Sequence, residues 1–423
     1  MDTTATAGAT NTGATNAGAT SRGFEQVMAR ATGLADDLRL DEVRRYKAEH
    51  PGALAVGMMP IYAPRPLFEA MGCLPVAIYG GGEGIDIIRG DSYFQSYMCH
   101  IPRSTLELAL TGAYDSLDAM IFPSTCDVIR NLGGMWKLLF PDKLSAYLDL
   151  PQSFDPDLGG SFYASELRRI AGELERRGAR ALGDDALWGA IHRENKRRAA
   201  LAELDARRCA EPWRIRAWEA YILARAGAVL TADAHTELLS EFLSVVSHRV
   251  APAYDNVRVV VVGGFCEQPP LGLIKTLEQA GCDLVEDDFQ LGMRMIDGPI
   301  PTCAEDLAGR HTGRLDVKNP VDALALAFIQ KGSATATRYI GSDRKGRALV
   351  DRVRAVKADG VIFAAASFCD PALLDQPMLE AALDEEKIPH TGFKYSENSA
   401  QFQTTREQAG AFSDSVKLWG TAT

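Results

Sequence analysis

Short apolar runs recur along the chain, each followed by a turn rich in glycine or proline and then by apolar residues at helical spacing. Leu54 to Met58 reads as a buried strand, Pro60 to Pro66 as its loop, and the next helix runs through Met71. Gly72-Cys73 ends that helix and Leu74 to Tyr79 is the following strand. Asp118 to Phe122 is a further apolar run that stops at Pro123. The pattern restarts at Val257 to Val262, continues through the loop Gly263 to Pro270 and a helix from Leu271 to Gln279, and reaches Gly281-Cys282 and a strand from Asp283. Asp359 to Phe363 is a later strand of the same kind. Strands alternating with helices predict parallel sheets covered on both faces. The expected fold class is therefore α/β, with two related doubly wound parallel-sheet domains and a helical insertion between them.

The expected boundaries follow from this pattern. Residues 1–22, an Ala, Thr, Gly and Asn tract, are expected to form a disordered low-complexity tail. The first α/β domain is expected over 23–155, opening with a helix from Gly23 to Tyr46, and the second over 253–423. Residues 156–252, dense in Glu, Arg, Ala and Leu, form the helical segment. Its Arg176-Arg177 and Lys196-Arg197-Arg198 clusters read as solvated helix faces or a surface that meets another subunit. Beyond Cys369, a helix is expected around Met378 to Glu386, followed by Pro389 to Gly392 and a tail containing Lys394 to Asn398.

Charge narrows the functional classes. A net charge of −11 argues against a nucleic-acid partner, which needs clustered Lys and Arg facing phosphate. No apolar run is long enough to span a bilayer, and the first twenty residues lack the charged start and apolar centre of a secretory signal. Eight cysteines scattered without small-domain spacing fit a reducing cytoplasm.

Three of those cysteines lie where chemistry is expected. Cys126, in Cys126-Asp127, follows a strand, and Cys369, in Cys369-Asp370, follows a very similar one; in open α/β sheets that edge binds ligands. Cys99 precedes a helix start marked by Pro102, where a thiol is biased toward thiolate. On spacing alone, metal ligation and burial as a small apolar residue stay equally open, because no compact Cys-x-x-Cys element is present. Cys73, Cys209 and Cys282 read as packed thiols, and Cys303 is uninformative. Cys266 reads as a fourth ligand, a pocket residue or packing. His100 and Glu267 are candidate proton donors, although a hydrogen bond at the helix start is the favoured role of His100. Asp127 and Asp370 are expected to accept backbone amides. Arg65 and Arg130 are expected in ordinary salt bridges, with phosphate groups of a carrier substrate as the alternative. Gly80 to Gly84 lacks dinucleotide-loop spacing and reads as a turn, and no phosphate loop of the Gly-Lys-Ser/Thr type is present.

The segments Met59 to Pro75, Ser96 to Ser104 and Gly264 to Gly272 resemble the benzoyl-CoA reductase and 2-hydroxyacyl-CoA dehydratase family, and within it the B-type subunit of the ATP-dependent benzoyl-CoA reductase branch. The resemblance covers about residues 45 to 400. It implies an oxidoreductase subunit that dearomatises benzoyl-CoA to a cyclic diene at low potential. It also implies a 4Fe-4S cluster held by Cys99, Cys126 and Cys369, with the fourth iron position left to another ligand or to substrate. The implied partners are a homologous reductase subunit in a heterodimer, ATPase electron-activating subunits that use the ATP, a ferredoxin donor and the acyl-CoA substrate. A 2-hydroxyacyl-CoA dehydratase subunit or a double-cubane cluster reductase is the related alternative. A metal-free small-ligand binding module is the unrelated one.

Overall fold

The computed structural model describes residues 12–59, 61–264, 269–289, 296–302, 314–335, 342–396 and 402–419. Two four-stranded parallel sheets organise it. The first contains β1 (Ala55–Met58), β2 (Leu74–Ala77), β3 (Ala119–Pro123) and β4 (Leu144–Leu148), in the order β2-β1-β3-β4. The second contains β5 (Val257–Val262), β6 (Cys282–Asp287), β7 (Gly360–Ala366) and β8 (His390–Tyr395), in the order β6-β5-β7-β8. The two orders are the same permutation, so the repeat read from the sequence is a repeat of topology. The pairings start alike, Ala55 opposite Leu74 in one sheet and Val257 opposite Cys282 in the other, but the second sheet has a register shift between Val259 and Val260 that the first lacks.

Every residue of β1, β2, β3 and β7 is buried, as strands covered on both faces must be. The two strands that the apolar pattern does not announce, β4 and β8, are sheet edges. Each has one neighbour and is only partly buried; β4 carries Ser145 and Tyr147, and β8 carries His390, Thr391 and Lys394.

The crossovers are helical. In the first lobe they are α3 (Arg65–Ala70), α4 (His100–Leu110) and α5 (Asp127–Leu139); in the second, α10 (Leu271–Gln279), α12 (Ser342–Ala355) and α13 (Asp370–Glu385). α11 (Pro320–Lys331) and α14 (Phe402–Trp419) complete the second lobe. The expected opening helix is two helices. α1 (Thr12–Ala35) begins inside the Ala/Thr tract expected to lie outside the fold, and α2 (Asp41–Glu49) follows a break. The break comes from Leu40, held at φ +57°, and from the Asp37 carboxylate, which accepts the Asp41 and Glu42 amides at 2.8 Å each.

Between the sheets lie α6 (Ser161–Arg176), α7 (Asp184–Ala210), α8 (Ala217–Ala226) and α9 (Ala232–Val246), the expected helical segment. α7 packs against α3 of the first lobe and β6 of the second, so both lobes are keyed to one long helix. Its basic cluster is not the solvated face expected. Arg197 is fully buried against Glu194, at 2.6 and 2.8 Å, and buried Arg198 donates to the carbonyls of Ile296 and Gly298. Helical spacing directs these two inward, and the carboxylate one turn earlier makes the burial of Arg197 tolerable.

Candidate functional site

The C-terminal ends of the two sheets face each other. Tyr62, in the loop after β1, bonds through its hydroxyl to Thr335 of the second lobe at 2.5 Å, and its carbonyl accepts the Tyr163 hydroxyl at 2.5 Å. Tyr62 is buried and stands at φ +68°, an uncommon conformation for a side-chain-bearing residue, held in place by these two bonds and by the Phe328 ring.

Cys99, Cys126 and Cys369 each occupy the residue immediately before a helix, α4, α5 and α13 respectively. None of the three is in a disulfide; Cys99 and Cys126 are half-buried and Cys369 is buried. The helix starting at each sulfur turns its first amides toward that end, an arrangement that favours negative charge. At Cys126 burial pushes the thiol pKa up, the amides of Ile129 and Val128 oppose that rise by bonding the sulfur, and the charges of Asp127 and Asp370 add to it. Asp370 follows Cys369 in the chain, so the ends of β3 and β7 are within electrostatic reach of one another. Phe368, just before Cys369, is held at φ +66° and half exposed, a strained turn that directs the next residue out of the strand.

Among the described residues, no group of three or more His, Cys, Asp or Glu side chains converges closely enough to hold a metal ion. The structure brings the Cys126 and Cys369 segments together and does not gather all three cysteines at single-ion distance. A cubane sets its thiolates wider apart than one ion does. Three cysteines outside any disulfide, each directly before a helix start, are a donor set of the kind such a cluster takes. Cys266 and Glu267 lie outside the described residues.

His100 is buried, and burial together with Arg103 pushes its pKa down to about 4, against Asp91. The imidazole is therefore neutral at pH 7 and is not a charged proton donor. The segment leading to Cys99 is anchored by Glu107 of α4, a residue the sequence does not single out. Its carboxylate accepts the amides of Ile88, Arg89 and Gly90 at 2.9, 2.5 and 2.8 Å. Burial opposes the charge, yet the three amides hold the carboxyl below its ordinary value. The glycine run after β2 serves packing at one position at least: a Cβ on Gly80 would sit 2.3 Å from Ser104 Oγ of α4.

Arg65 is a buried structural residue, donating to the Leu230 carbonyl at 2.5 Å and lying 3.8 Å from Glu69. Arg130 is exposed and lies over the Tyr147 ring instead of in an ion pair.

Beside the α13 start, a crevice of about 820 Å³ opens at the C-terminal edge of the second sheet. Apolar Phe363, Ala365, Leu349 and Leu379 line part of it. Several of its charged groups are paired: Lys345 with Asp375 at 2.6 Å, Arg352 with Glu286 at 3.3 Å, and Asp287 with the fully buried Arg208 at 2.5 Å. Asp288 accepts the amides of Gly263 and Gly264 at 2.8 and 3.0 Å, and burial raises its pKa to about 6. Sequence reasoning missed these groups, although the acidic run ending β6 at a ligand-binding edge was a usable signal.

A family model described as 2-hydroxyglutaryl-CoA dehydratase, D-component, matches residues 60–416. The chain belongs to this family. Among known proteins, the C-type subunit of benzoyl-CoA reductase from Thauera aromatica is 43% identical over 93% of this chain and 98% of its own length. The family's dehydratases are also represented. The (R)-phenyllactyl-CoA dehydratase beta subunit of Clostridium sporogenes is 25% identical over 87% of this chain and 93% of its own. The (R)-2-hydroxyglutaryl-CoA dehydratase beta subunit of Acidaminococcus fermentans is 28% identical over 88% and 94%. The reductase relative is of C type where the sequence motifs suggest a B-type subunit; motifs common to the whole family do not distinguish the two.

Proposed function

We propose that this chain is the iron–sulfur subunit of an ATP-dependent benzoyl-CoA reductase. The observation that carries this is the 43% identity to a benzoyl-CoA reductase subunit across nearly the whole of both chains, against 25–28% for the dehydratase beta subunits. Cys99, Cys126 and Cys369 hold a 4Fe-4S cluster in this reading. When bound, such a cluster supplies low-potential electrons, and reduction of the ring takes two electrons and two protons.

The chain's own residues do the rest. The amides of Val128 and Ile129 bond the Cys126 sulfur and oppose the rise in pKa that burial causes, and Cys99 and Cys369 stand in the same position, directly before the starts of α4 and α13. The buried Tyr62–Thr335 bond ties the loop after β1 to the second lobe. His100, buried in the first turn of α4 with its pKa lowered to about 4, is neutral at pH 7 and is not a charged proton donor.

The named relatives are all subunits of larger enzymes, which supports a hetero-oligomer with a homologous reductase subunit, ATPase activating subunits and a ferredoxin donor. Eight cysteines without a disulfide framework support a place in the cytoplasm. No helix among the described residues is long and apolar enough to cross a membrane.

The test is anoxic co-expression with candidate partner subunits, followed by iron counting, EPR and acyl-CoA turnover. Dearomatisation of benzoyl-CoA coupled to ATP use is the expected result. Loss of water from a hydroxyacyl-CoA would move the chain to the dehydratase reading, and a colourless, iron-free protein would leave only a binding role.

A further inference from the structure

A second cleft, of about 850 Å³, lies along the edge strand β4 between α5 and α6. It differs in charge from the crevice beside α13, although their volumes are similar. Six cationic side chains line it against three carboxylates, in a chain whose net charge is −11. The carboxylates are not spread evenly. Glu166 and Glu173 both bind Arg169, at 2.7 Å each, which removes them from the balance of the others. Lys143 donates to the carbonyls of Tyr114, Asp115 and Leu117, and Arg177 to the Asp142 carbonyl at 2.9 Å. Arg130, Lys137 and Arg176 are exposed and have no carboxylate partner within 4.0 Å among the described residues.

Shape and surface say which anion suits such a place. The cleft is concave and of nucleotide size, whereas protein docking faces are flatter. Gly134 leaves its floor bare: a Cβ there would meet nothing within 4 Å. At one end Tyr147 offers a half-buried ring with the Arg130 guanidinium 5.9 Å from its centre, a combination that stacks on planar bases. Arg and Lys without partners are the side chains that grip phosphate. The Tyr147 end also adjoins the sulfur edge, since the Tyr147 phenol feels the charge of Asp127, the residue after Cys126.

We propose that this cleft binds the phosphorylated nucleotide tail of an acyl-CoA, with Lys137, Arg176 and Arg130 on the phosphates and Tyr147 against the base. The tail then lies along β4 and its pantetheine arm leads toward the Cys126 end of the sheet. The proposal rests on the acyl-CoA reading above for the identity of the whole ligand, but the nucleotide site has its own readout.

The test uses the assembled enzyme and a Lys137→Glu/Arg176→Glu variant, with adenosine 3′,5′-bisphosphate as the probe in calorimetry. Removing one charge-assisted bond lowers affinity about tenfold, so the double variant should bind the probe at least that much more weakly, at unchanged iron content. KM for benzoyl-CoA should rise in step while kcat holds, and turnover of benzoyl-pantetheine, which lacks the nucleotide, should be the same for both proteins. Saturable probe binding that the variant does not weaken overturns the proposal, as does an absence of saturable binding by the wild type. So does a variant that loses its partner subunits yet binds the probe normally, because the patch is then a protein-docking surface. If the wild type binds the probe at this cleft but does not turn over benzoyl-CoA, the reductase reading fails and the nucleotide site stands.

Discussion

The duplication of the fold places two pairs of cysteines in corresponding positions, and the pairs have opposite characters. Cys73 and Cys282 stand where β2 and β6 begin, each behind a glycine with positive φ, and they are 3% and 0% exposed. Burial pushes both thiols up to about 12, and their sulfurs meet only distant carbonyls, of Met71 and Ala409. Cys126 and Cys369 stand where β3 and β7 have ended, each at the start of a helix. The same residue type is a packing atom at one end of a parallel strand and a candidate ligand at the other. What separates the roles is the end of the sheet: strands enter from the core side, and helix amides point at the edge they leave by.

The sharpest way to break this comparison is to replace all four cysteines by serine, one at a time. Cys126→Ser and Cys369→Ser should abolish the cluster EPR signal and acyl-CoA turnover, with little change in melting temperature. Cys73→Ser and Cys282→Ser should keep their iron and lose stability, by about 1–3 kcal/mol for a hydroxyl placed in an apolar site. Iron retained at Cys126→Ser, or lost at Cys73→Ser, would end the distinction between the pairs.

The two lobes also differ in how they hold α7, and the next largest effect lies there. Fully buried Arg208 pairs with Asp287 of the second lobe at 2.5 Å, whereas partly exposed Arg193 approaches Glu69 of the first lobe only at 4.0 Å. Arg208→Ala strands a buried carboxylate and should cost about 3–5 kcal/mol in denaturant unfolding. Arg193→Ala should cost under about 1 kcal/mol. Equal losses would mean that the second lobe is not anchored through this pair.

A smaller, pH-dependent effect comes from a repeat within the repeat. Glu69 and Glu278 each precede their Gly-Cys by three positions, and each accepts the first amide of an inserted helix: Ala232 of α9 at 3.0 Å and Ala217 of α8 at 2.8 Å. Burial raises both carboxyls, Glu278 to about 7. A carboxyl whose folded value exceeds its unfolded 4.5 keeps its proton longer in the folded state. Folding is therefore favoured at low pH, and stability from this group declines as pH rises from about 4.5 to 7. Glu278→Gln keeps an acceptor and removes the titration. Its melting temperature relative to wild type should climb between pH 5 and 8, and a flat difference would show that Glu278 ionises normally.

Much of this was legible in the sequence because the signals are local. Val257 to Val262 and Leu54 to Met58 are apolar on both faces, Gly72 and Gly281 mark helix ends, and Cys126-Asp127 and Cys369-Asp370 share a context. What escaped depended on partners distant in the chain. β4 is a short run broken by Ser145 and Tyr147, and β8 carries His390, Thr391 and Lys394, so neither reads as a buried strand. The inward turn of Arg198 rests on two carbonyls about a hundred residues away. Asp288 and Glu107, which fix the loops at the sheet edges, act on backbone amides, and sequence patterns do not record which amides lie bare.

The smallest effect tests the repeat at the level of backbone. Gly72 and Gly281 stand at φ +74° and +86°, and the nearest atoms to a Cβ there belong to flexible side chains, Arg180 and Ser413, at 3.1 Å. Alanine at either should cost about 1 kcal/mol, from the left-handed conformation alone. Gly263, at φ +116°, is outside even that region, and its Cβ would lie 3.0 Å from the Ala364 carbonyl oxygen, on β7. Backbone of a central strand cannot step aside as a side chain does, so Gly263→Ala should lose more than either. Matched losses at Gly72 and Gly281 with a larger one at Gly263, read from chemical denaturation, would separate the repeated helix ends from the loop that the second lobe alone clamps with Asp288.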